Sequence, residues 1–294
     1  MNGTIGIAGV GRVGSALAAT LSAAGQEVLL LPPRSGGLKP ALSHLPQAAS
    51  ARELAARCDV LLTCLRNSEE TEALMPDFLA GGAAKSGFIH IDHCNGDPAR
   101  DRAFAEAWLR QGGLFTDAAL LGPPERLPAA KPKLIVGGSE DAFQRVREIA
   151  PPYCDDFVHA GPVGNGHLLR LIISLMGYGI AALSAEIIAT AGASGIGPEL
   201  VRAALSGKGS DSDTFQAVVA AAISPQAEKR QLPLSNIRRD LDRLADVAPA
   251  AAPQDFMGTA LRDFFARADS SDGEAVMASD LTSRLSTPPF LRGK

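Results

Sequence analysis

A short apolar run, Ile5-Gly6-Ile7-Ala8, leads straight into Gly9-Val10-Gly11-Arg12-Val13-Gly14 and then into Ser15-Ala16-Leu17-Ala18-Ala19-Thr20-Leu21 at helical period. In a strand-turn-helix unit the first such glycine makes the tight turn, the second lets backbone approach a pyrophosphate, and the third packs helix on strand. The amides that open the helix then face the phosphates. Gly25 and a second strand over Glu27 to Leu31 follow. The unit predicts a dinucleotide site contacted by Gly9, Val10, Gly11, Arg12, Val13 and Gly14.

The second strand ends in Pro32-Pro33-Arg34-Ser35, where a chain that prefers NAD would place an acidic residue for the ribose 2′-hydroxyl. Arg34 suits the 2′-phosphate of NADP and the face of the adenine, and Ser35 offers a hydroxyl donor. NADPH is therefore the expected cofactor. The alternative is that Arg34 is a solvated loop charge.

With 294 residues, 46% of them hydrophobic, the chain can bury a sizeable core in one or two domains. Its net charge of -4 and lack of a long basic run argue against nucleic acid or an anionic membrane surface as partner, and for a small-molecule substrate. Cys58, Cys64, Cys94 and Cys154 are scattered, and no set of His, Asp, Glu and Cys has ligand spacing, so no metal is expected. Nothing like a secretory leader precedes the first strand, which fits a reducing cytoplasm. The longest apolar stretch, Leu171 to Ala185 between Arg170 and Glu186, reads as a buried helix too short to span a bilayer.

Up to about residue 161, β-rich runs alternate with helical segments. Strands are expected over Asp59 to Leu65, Phe88 to Asp92, Leu114 to Leu120, Leu134 to Val136 and Phe157 to His159. Helices are expected around Ala51 to Arg57, Thr71 to Leu79, Pro98 to Gln111 and Asp141 to Ile149. The pattern predicts an α/β chain: a Rossmann-type, doubly wound parallel sheet over residues 1–162, followed by an all-helical domain over 163–294. The helix from near Gly166 is expected to bridge the two and wall the crevice between them. Pro123 to Pro132 and Ala248 to Pro253 read as loops.

Several further segments resemble, in order, the β-hydroxyacid dehydrogenase family, which includes 3-hydroxyisobutyrate dehydrogenase, relatives of 6-phosphogluconate dehydrogenase and the imine reductases. They are Cys64-Leu65-Arg66-Asn67, Asp92-His93-Cys94-Asn95 before Pro98, Thr116-Asp117-Ala118-Ala119-Leu120-Leu121-Gly122, and Gly161-Pro162-Val163-Gly164-Asn165-Gly166 leading into Arg170 and Ser174. Arg239-Asp240-Leu241 comes last. The resemblance implies a cofactor also touched by Leu65, Arg66, Asn95 and Arg239, and a homodimer built through long apolar helices.

It also implies a lysine at the position of Arg170 and an asparagine at that of Ser174, and both are replaced. The family lysine polarises or protonates the substrate oxygen. Arginine stays charged, so Arg170 is expected to act by hydrogen bonding to a developing alkoxide. The proton then comes from water or from a neighbour. His167, Arg170, Ser174 and Tyr178 share one helical stripe, and His93 stands at a strand end. Each also has a bland reading: an interdomain ion pair for Arg170, a backbone-bonded or solvent-facing histidine for His167, core for Tyr178, packing for His93, and pocket lining for Ser174.

Arg170, Ser174 and His93 are thus the candidate catalytic residues. Arg170 and Arg239 converging on one pocket would favour an anionic substrate, which points to an NADP-dependent reductase or dehydrogenase of small carbonyls or alcohols of the 3-hydroxyacid or semialdehyde type. The loss of the family's serine at Leu121-Gly122-Pro123 weakens the 3-hydroxyacid assignment. The alternatives are an imine reductase, which Arg170 disfavours because an iminium is cationic, and a non-catalytic NADPH-binding protein.

Overall fold

A computed structural model describes residues 3–33, 37–82, 87–122, 126–127, 129–207, 212–224, 233–247, 256–269 and 277–285. The chain divides into two compact units, Met1–Arg170 and Leu171–Lys294.

The first unit is a seven-stranded sheet. Its elements are β1 (Ile5–Ala8), α1 (Arg12–Ala23), β2 (Val28–Leu31), α2 (Ala51–Arg57), β3 (Val60–Thr63), α3 (Ser68–Gly82), β4 (Ile89–Asp92), α4 (Pro98–Leu109), β5 (Leu114–Leu121), β6 (Lys133–Gly137), α5 (Glu140–Ile149) and β7 (Asp156–His159). The strand order is β2-β1-β3-β4-β5-β6-β7. Ile5, Ile7, Val60, Leu62, Ile89 and Ile91 face a core shared with Leu17 and Leu21 of α1 and with Phe143 and Val146 of α5. Leu29 and Leu61 face the opposite core with Leu54, Phe78, Phe104 and Trp108 from α2, α3 and α4. Strands buried on both faces read as unbroken Val, Ile and Leu runs, which is why they are visible in the sequence.

The expectation of a wholly parallel sheet needs one correction. β5 and β6 are antiparallel, with Asp117 opposite Gly137, while β7 runs parallel to β6. The stretch between Leu121 and Lys133 is shorter than the roughly dozen residues that a parallel crossover needs, so the chain returns the opposite way.

α6 (Asn165–Ala193) starts in the first unit, and its opening turn, as far as Arg170, belongs with the sheet. The second unit holds the rest of α6 and α7 (Pro198–Leu205), α8 (Asp213–Ile223), α9 (Leu234–Val247), α10 (Phe256–Ala268) and α11 (Leu281–Leu285). Ala185, Phe215, Val219, Ile237, Leu241 and Phe265 form its core.

α6 differs from the buried, sub-span helix expected for this stretch. It is 29 residues long and, by length and composition alone, long and apolar enough to cross a membrane, and only 33% of its most apolar window is buried within the protein. Ile172, Met176, Leu183 and Ile187 are exposed along one side of it.

Candidate active site

The glycine turn has the stereochemistry that its spacing predicts. Gly9 has φ +96°, and a Cβ there would sit 2.6 Å from the carbonyl of Cys64. A Cβ on Gly14 would lie 1.9 Å from the Gly9 oxygen, so α1 packs onto β1 only because Gly14 has no side chain. At Gly11, the N-cap of α1, a Cβ would meet nothing within 4 Å. The protein itself leaves that side open, as a turn that receives a phosphate requires. The first turn of α1 carries no acidic residue to oppose an anion. These residues fit a dinucleotide. Arg34 and Ser35 lie outside the described residues, as do Pro123 and the stretch Ala248 to Pro253.

A cavity of about 90 Å³ lies at the ends of β4 and β5, lined by residues that include Val13, His93, Asn95, Leu120, Gly122 and Arg170. Arg170, reached from the second turn of α6, is 9% exposed. Asn95 is exposed at the rim. Leu65 is half-buried, and its amide points at Cys94 Sγ 3.2 Å away. Arg66 is exposed, and its Nε donates to Glu70 at 2.6 Å.

His93 departs most from the sequence expectation. Its Nδ1 lies 2.6 Å from the carbonyl oxygen of Ala118 and must carry the proton, which leaves Nε2 to accept from the hydroxyl of Tyr153 at 3.2 Å. Burial drives its pKa down to about 4, against the opposing pull of the Ala118 carbonyl and Asp92. His93 is therefore a neutral, doubly bonded wall rather than a proton donor at neutral pH.

Behind the cavity is a buried polar network that the sequence did not announce. The indole N–H of Trp108 donates to His90 Nδ1 at 3.0 Å, so His90 Nε2–H donates to Thr63 at 2.8 Å, and the Thr63 hydroxyl donates to Asp92 Oδ1 at 2.7 Å. The amide of Cys94 donates to the same oxygen at 3.1 Å. Alternation in β4, where His90 falls between two isoleucines, was the only available signal.

The start of α6 is held by carboxylates. Asp117 accepts from the amide of Gly164 at 2.7 Å with Oδ1 and from that of His167 at 2.8 Å with Oδ2. His167 Nδ1 lies 2.8 Å from Asp101 Oδ2, both side chains being wholly buried. Burial opposes charge on His167, but Asp101 and then Asp117 and Asp92 outweigh it and raise its pKa to about 9. Burial raises Asp101, countered by His167. Asp92, Asp101 and His167 each bring one donor atom within 4.8 Å of the others', a grouping that sequence spacing concealed. His167 Nδ1 faces Asp101 Oδ2, and because the neighbouring carboxylates keep the imidazole protonated the contact is an ion pair.

The remaining candidates belong to the second unit. Ser174 is half-buried, one turn beyond Arg170. Tyr178 donates to Asp240 Oδ2 at 2.6 Å. Arg239 is exposed on α9 and donates to Asn236 at 3.2 Å.

The family model described as the NAD binding domain of 6-phosphogluconate dehydrogenase matches residues 4–161. L-threonate dehydrogenase of Cupriavidus necator is 28% identical over 209 residues, 68% of this chain and 68% of that protein. The structure of Mycobacterium tuberculosis 3-hydroxyisobutyrate dehydrogenase with L-serine superposes with a TM-score of 0.83 at 22% identity, covering 100% of both chains. An imine reductase from Pseudomonas sp. matches at 0.56 and 16% identity, covering 97% of this chain and 100% of that one. At such identities the two structural likenesses concern the fold.

Proposed function

The chain belongs to the family of the NAD binding domain of 6-phosphogluconate dehydrogenase, and from that premise we propose that it is an NADPH-dependent oxidoreductase acting on a small anionic carbonyl or alcohol of the 3-hydroxyacid or semialdehyde type. The observation that carries this reading is that Val13, from the glycine turn, and Arg170 line one cavity. A residue beside the dinucleotide turn and a permanent cation thus share the space where a reacting oxygen would sit.

NADPH, when bound, supplies the hydride. The protein's part is electrostatic. Arg170 carries a fixed positive charge and up to five N–H donors, which match an oxygen that gains negative charge as the carbonyl is reduced. In a site shielded from water such donors act with little screening. Arg170 does not surrender its proton, and His93 is neutral with both nitrogens engaged, so neither supplies the proton that reaches the product oxygen. Asn95 lines the same cavity, and its amide suits a hydrogen bond to substrate or to the nicotinamide amide. Arg34 supports the choice of NADPH over NADH by its chemistry at the end of the second strand, and the resemblance to the family supports a homodimer.

A second reading, imine reduction, keeps its footing from the missing lysine. Against it stands Arg170: a cationic iminium beside a guanidinium in a small cavity raises its own barrier.

The test is NADPH oxidation by the purified protein with small anionic aldehydes and ketones, uncharged carbonyls and cyclic imines, repeated with NADH. Turnover confined to anionic carbonyls and faster with NADPH is the expected result. Turnover of imines alone moves the chain to the second reading. Cofactor binding without turnover of any carbonyl or imine overturns both in favour of a non-catalytic NADPH-binding role.

A further inference from the structure

The Asp101–His167 ion pair joins α4, which follows a loop of cavity residues, to α6, which carries Arg170. Asp101 is in the first turn of α4, directly after the loop that bears His93, Cys94 and Asn95, and His167 is in the first turn of α6, one turn ahead of Arg170. The pair links residues 66 positions apart at 2.8 Å. The same loop lies flat against the imidazole, since a Cβ on Gly96 would sit 1.8 Å from His167 Nδ1. Asp117 fixes the height of the turn through two amides, and a Cβ on Gly166 would lie 2.6 Å from the Asp117 carbonyl oxygen. Neither Asp101 nor His167 lines the cavity, and both are fully buried.

We propose that the Asp101–His167 pair is a positioning device, which locks the β4–α4 loop to the first turn of α6 and so holds Arg170 against the cavity. This rests on the reading of Arg170 as the group that binds the reacting oxygen. A helix turns about 100° per residue, so a small rotation of the first turn at His167 carries through to Arg170. Main-chain bonds from Asp117 fix where α6 begins, and the side-chain bond from Asp101 fixes which way it faces.

The pair is poorly suited to a purely stabilising role. Asp101 Oδ1 and His167 Nε2 are buried without a hydrogen-bond partner among the described residues. Buried pairs of this kind are commonly replaceable by apolar residues at no loss of stability, whereas removing one partner alone strands a charge. A specific orientation is what an apolar pair would fail to supply, and this makes the double replacement diagnostic.

The experiment compares the full-length protein with the double variant Asp101→Val/His167→Leu, and with Asp101→Asn, which keeps shape and can still accept from Nδ1. The first readout is independent of turnover: the rate at which phenylglyoxal labels Arg170, followed by peptide mass spectrometry with the exposed Arg66 as internal standard. Arg170 labelling is expected to rise about tenfold or more in the folded double variant, with Arg66 unchanged and Asp101→Asn close to wild type. The second readout, with whichever carbonyl of the panel is turned over, is a fall in kcat of about 10- to 100-fold without change in NADPH affinity, the scale of a reacting group displaced by about 1 Å. If the double variant fails to fold, Asp101→Ala replaces it, and the same rise in Arg170 labelling is required. Wild-type labelling in a folded variant that lacks the pair overturns the proposal. Full turnover by Arg170→Ala overturns instead the role given to Arg170, whatever the labelling shows.

Discussion

The main-chain amide of His167 points at Oδ2 of Asp117, 2.8 Å away, while Oδ1 of the same carboxylate takes the amide of Gly164 at 2.7 Å. One side chain from β5 therefore satisfies two of the donors that a helix start leaves open. It does so where the macrodipole of α6 favours negative charge. Asp117→Ala should cost about 3 kcal/mol, because each hydrogen bond to a charged group contributes roughly 1.5–3 kcal/mol and both donors are buried. Asp117→Asn should cost less, since one acceptor oxygen survives. Urea denaturation of the two variants checks the order, and an alanine variant as stable as wild type refutes it.

The raised pKa of His167 makes stability depend on pH in one direction. Between its ordinary 6.5 and about 9 the folded chain holds a proton that the unfolded chain has released, so this contribution is complete below 6.5 and is lost as pH rises through about 9. The groups facing it are Asp101 from α4, Asp117 from β5, and Asp92 and His93 at the end of β4. Asp101 and Asp117 are raised too, by burial, and push stability in the same direction at lower pH. Melting temperature should fall between pH 7 and 10 by an amount worth on the order of 1–3 kcal/mol. His167→Gln should flatten that limb. An equally steep fall in the variant would assign the effect to other groups.

Alanine at the glycines should separate folding from binding. Gly11→Ala meets no atom of the chain within 4 Å and should change stability by no more than about 0.5 kcal/mol. It should nevertheless weaken NADPH binding about tenfold or more, equivalent to roughly 1.4 kcal/mol, by intruding where the pyrophosphate approaches. Gly14→Ala, 1.9 Å from the Gly9 oxygen, should lose about 1–3 kcal/mol of stability. Fluorescence titration with NADPH beside thermal melts checks both. Unaltered NADPH affinity in Gly11→Ala would remove the turn from the site.

Much of the fold could be read from the chain because the strands are doubly buried and the helices amphipathic. Ile5-Gly6-Ile7-Ala8 and Val60-Leu61-Leu62-Thr63 are visible as unbroken apolar runs. The reversal at β6 is not visible in the strand itself, because Lys133 to Gly137 looks the same whichever way it runs, and only the short stretch between Leu121 and Lys133 signals it. Arg170 and Asn95, which line one cavity, stand next to segments recognisable in the sequence. Asp101 and Trp108 were not legible, since an aspartate or tryptophan in an amphipathic helix gives no sign that its partner lies on β4 or at the start of α6. The role of His93 changed because its tautomer depends on Ala118 and Tyr153, contacts made only in three dimensions.

Arg170→Ala is expected to lower kcat/KM on the best anionic carbonyl by about 100- to 1000-fold, the usual cost of losing an oxyanion donor. Arg170→Lys should stay within about tenfold of wild type, since it keeps the charge and loses the planar fork. An inert lysine variant beside an active alanine variant would sink the mechanism.

The exposed side of α6 bears on assembly. Ile172, Met176, Leu183 and Ile187 present large apolar side chains along one face, a pattern typical of contact surfaces. Wild type should have the mass of a dimer by light scattering, and Met176→Glu/Leu183→Glu should shift it toward half that mass. A monomeric wild type would reject the homodimer.

Because Asp117 grips α6 by the main-chain amides of Gly164 and His167, its hold does not depend on the side chain at position 170, although Gly164 and Gly166 leave no room for one of their own. Every residue except proline offers the same N–H group. The residue at position 170 can therefore be exchanged without moving the platform it stands on. Such a helix can try out different chemistries, a proton donor in one descendant and a fixed charge in another, while the scaffold pays nothing for the experiment.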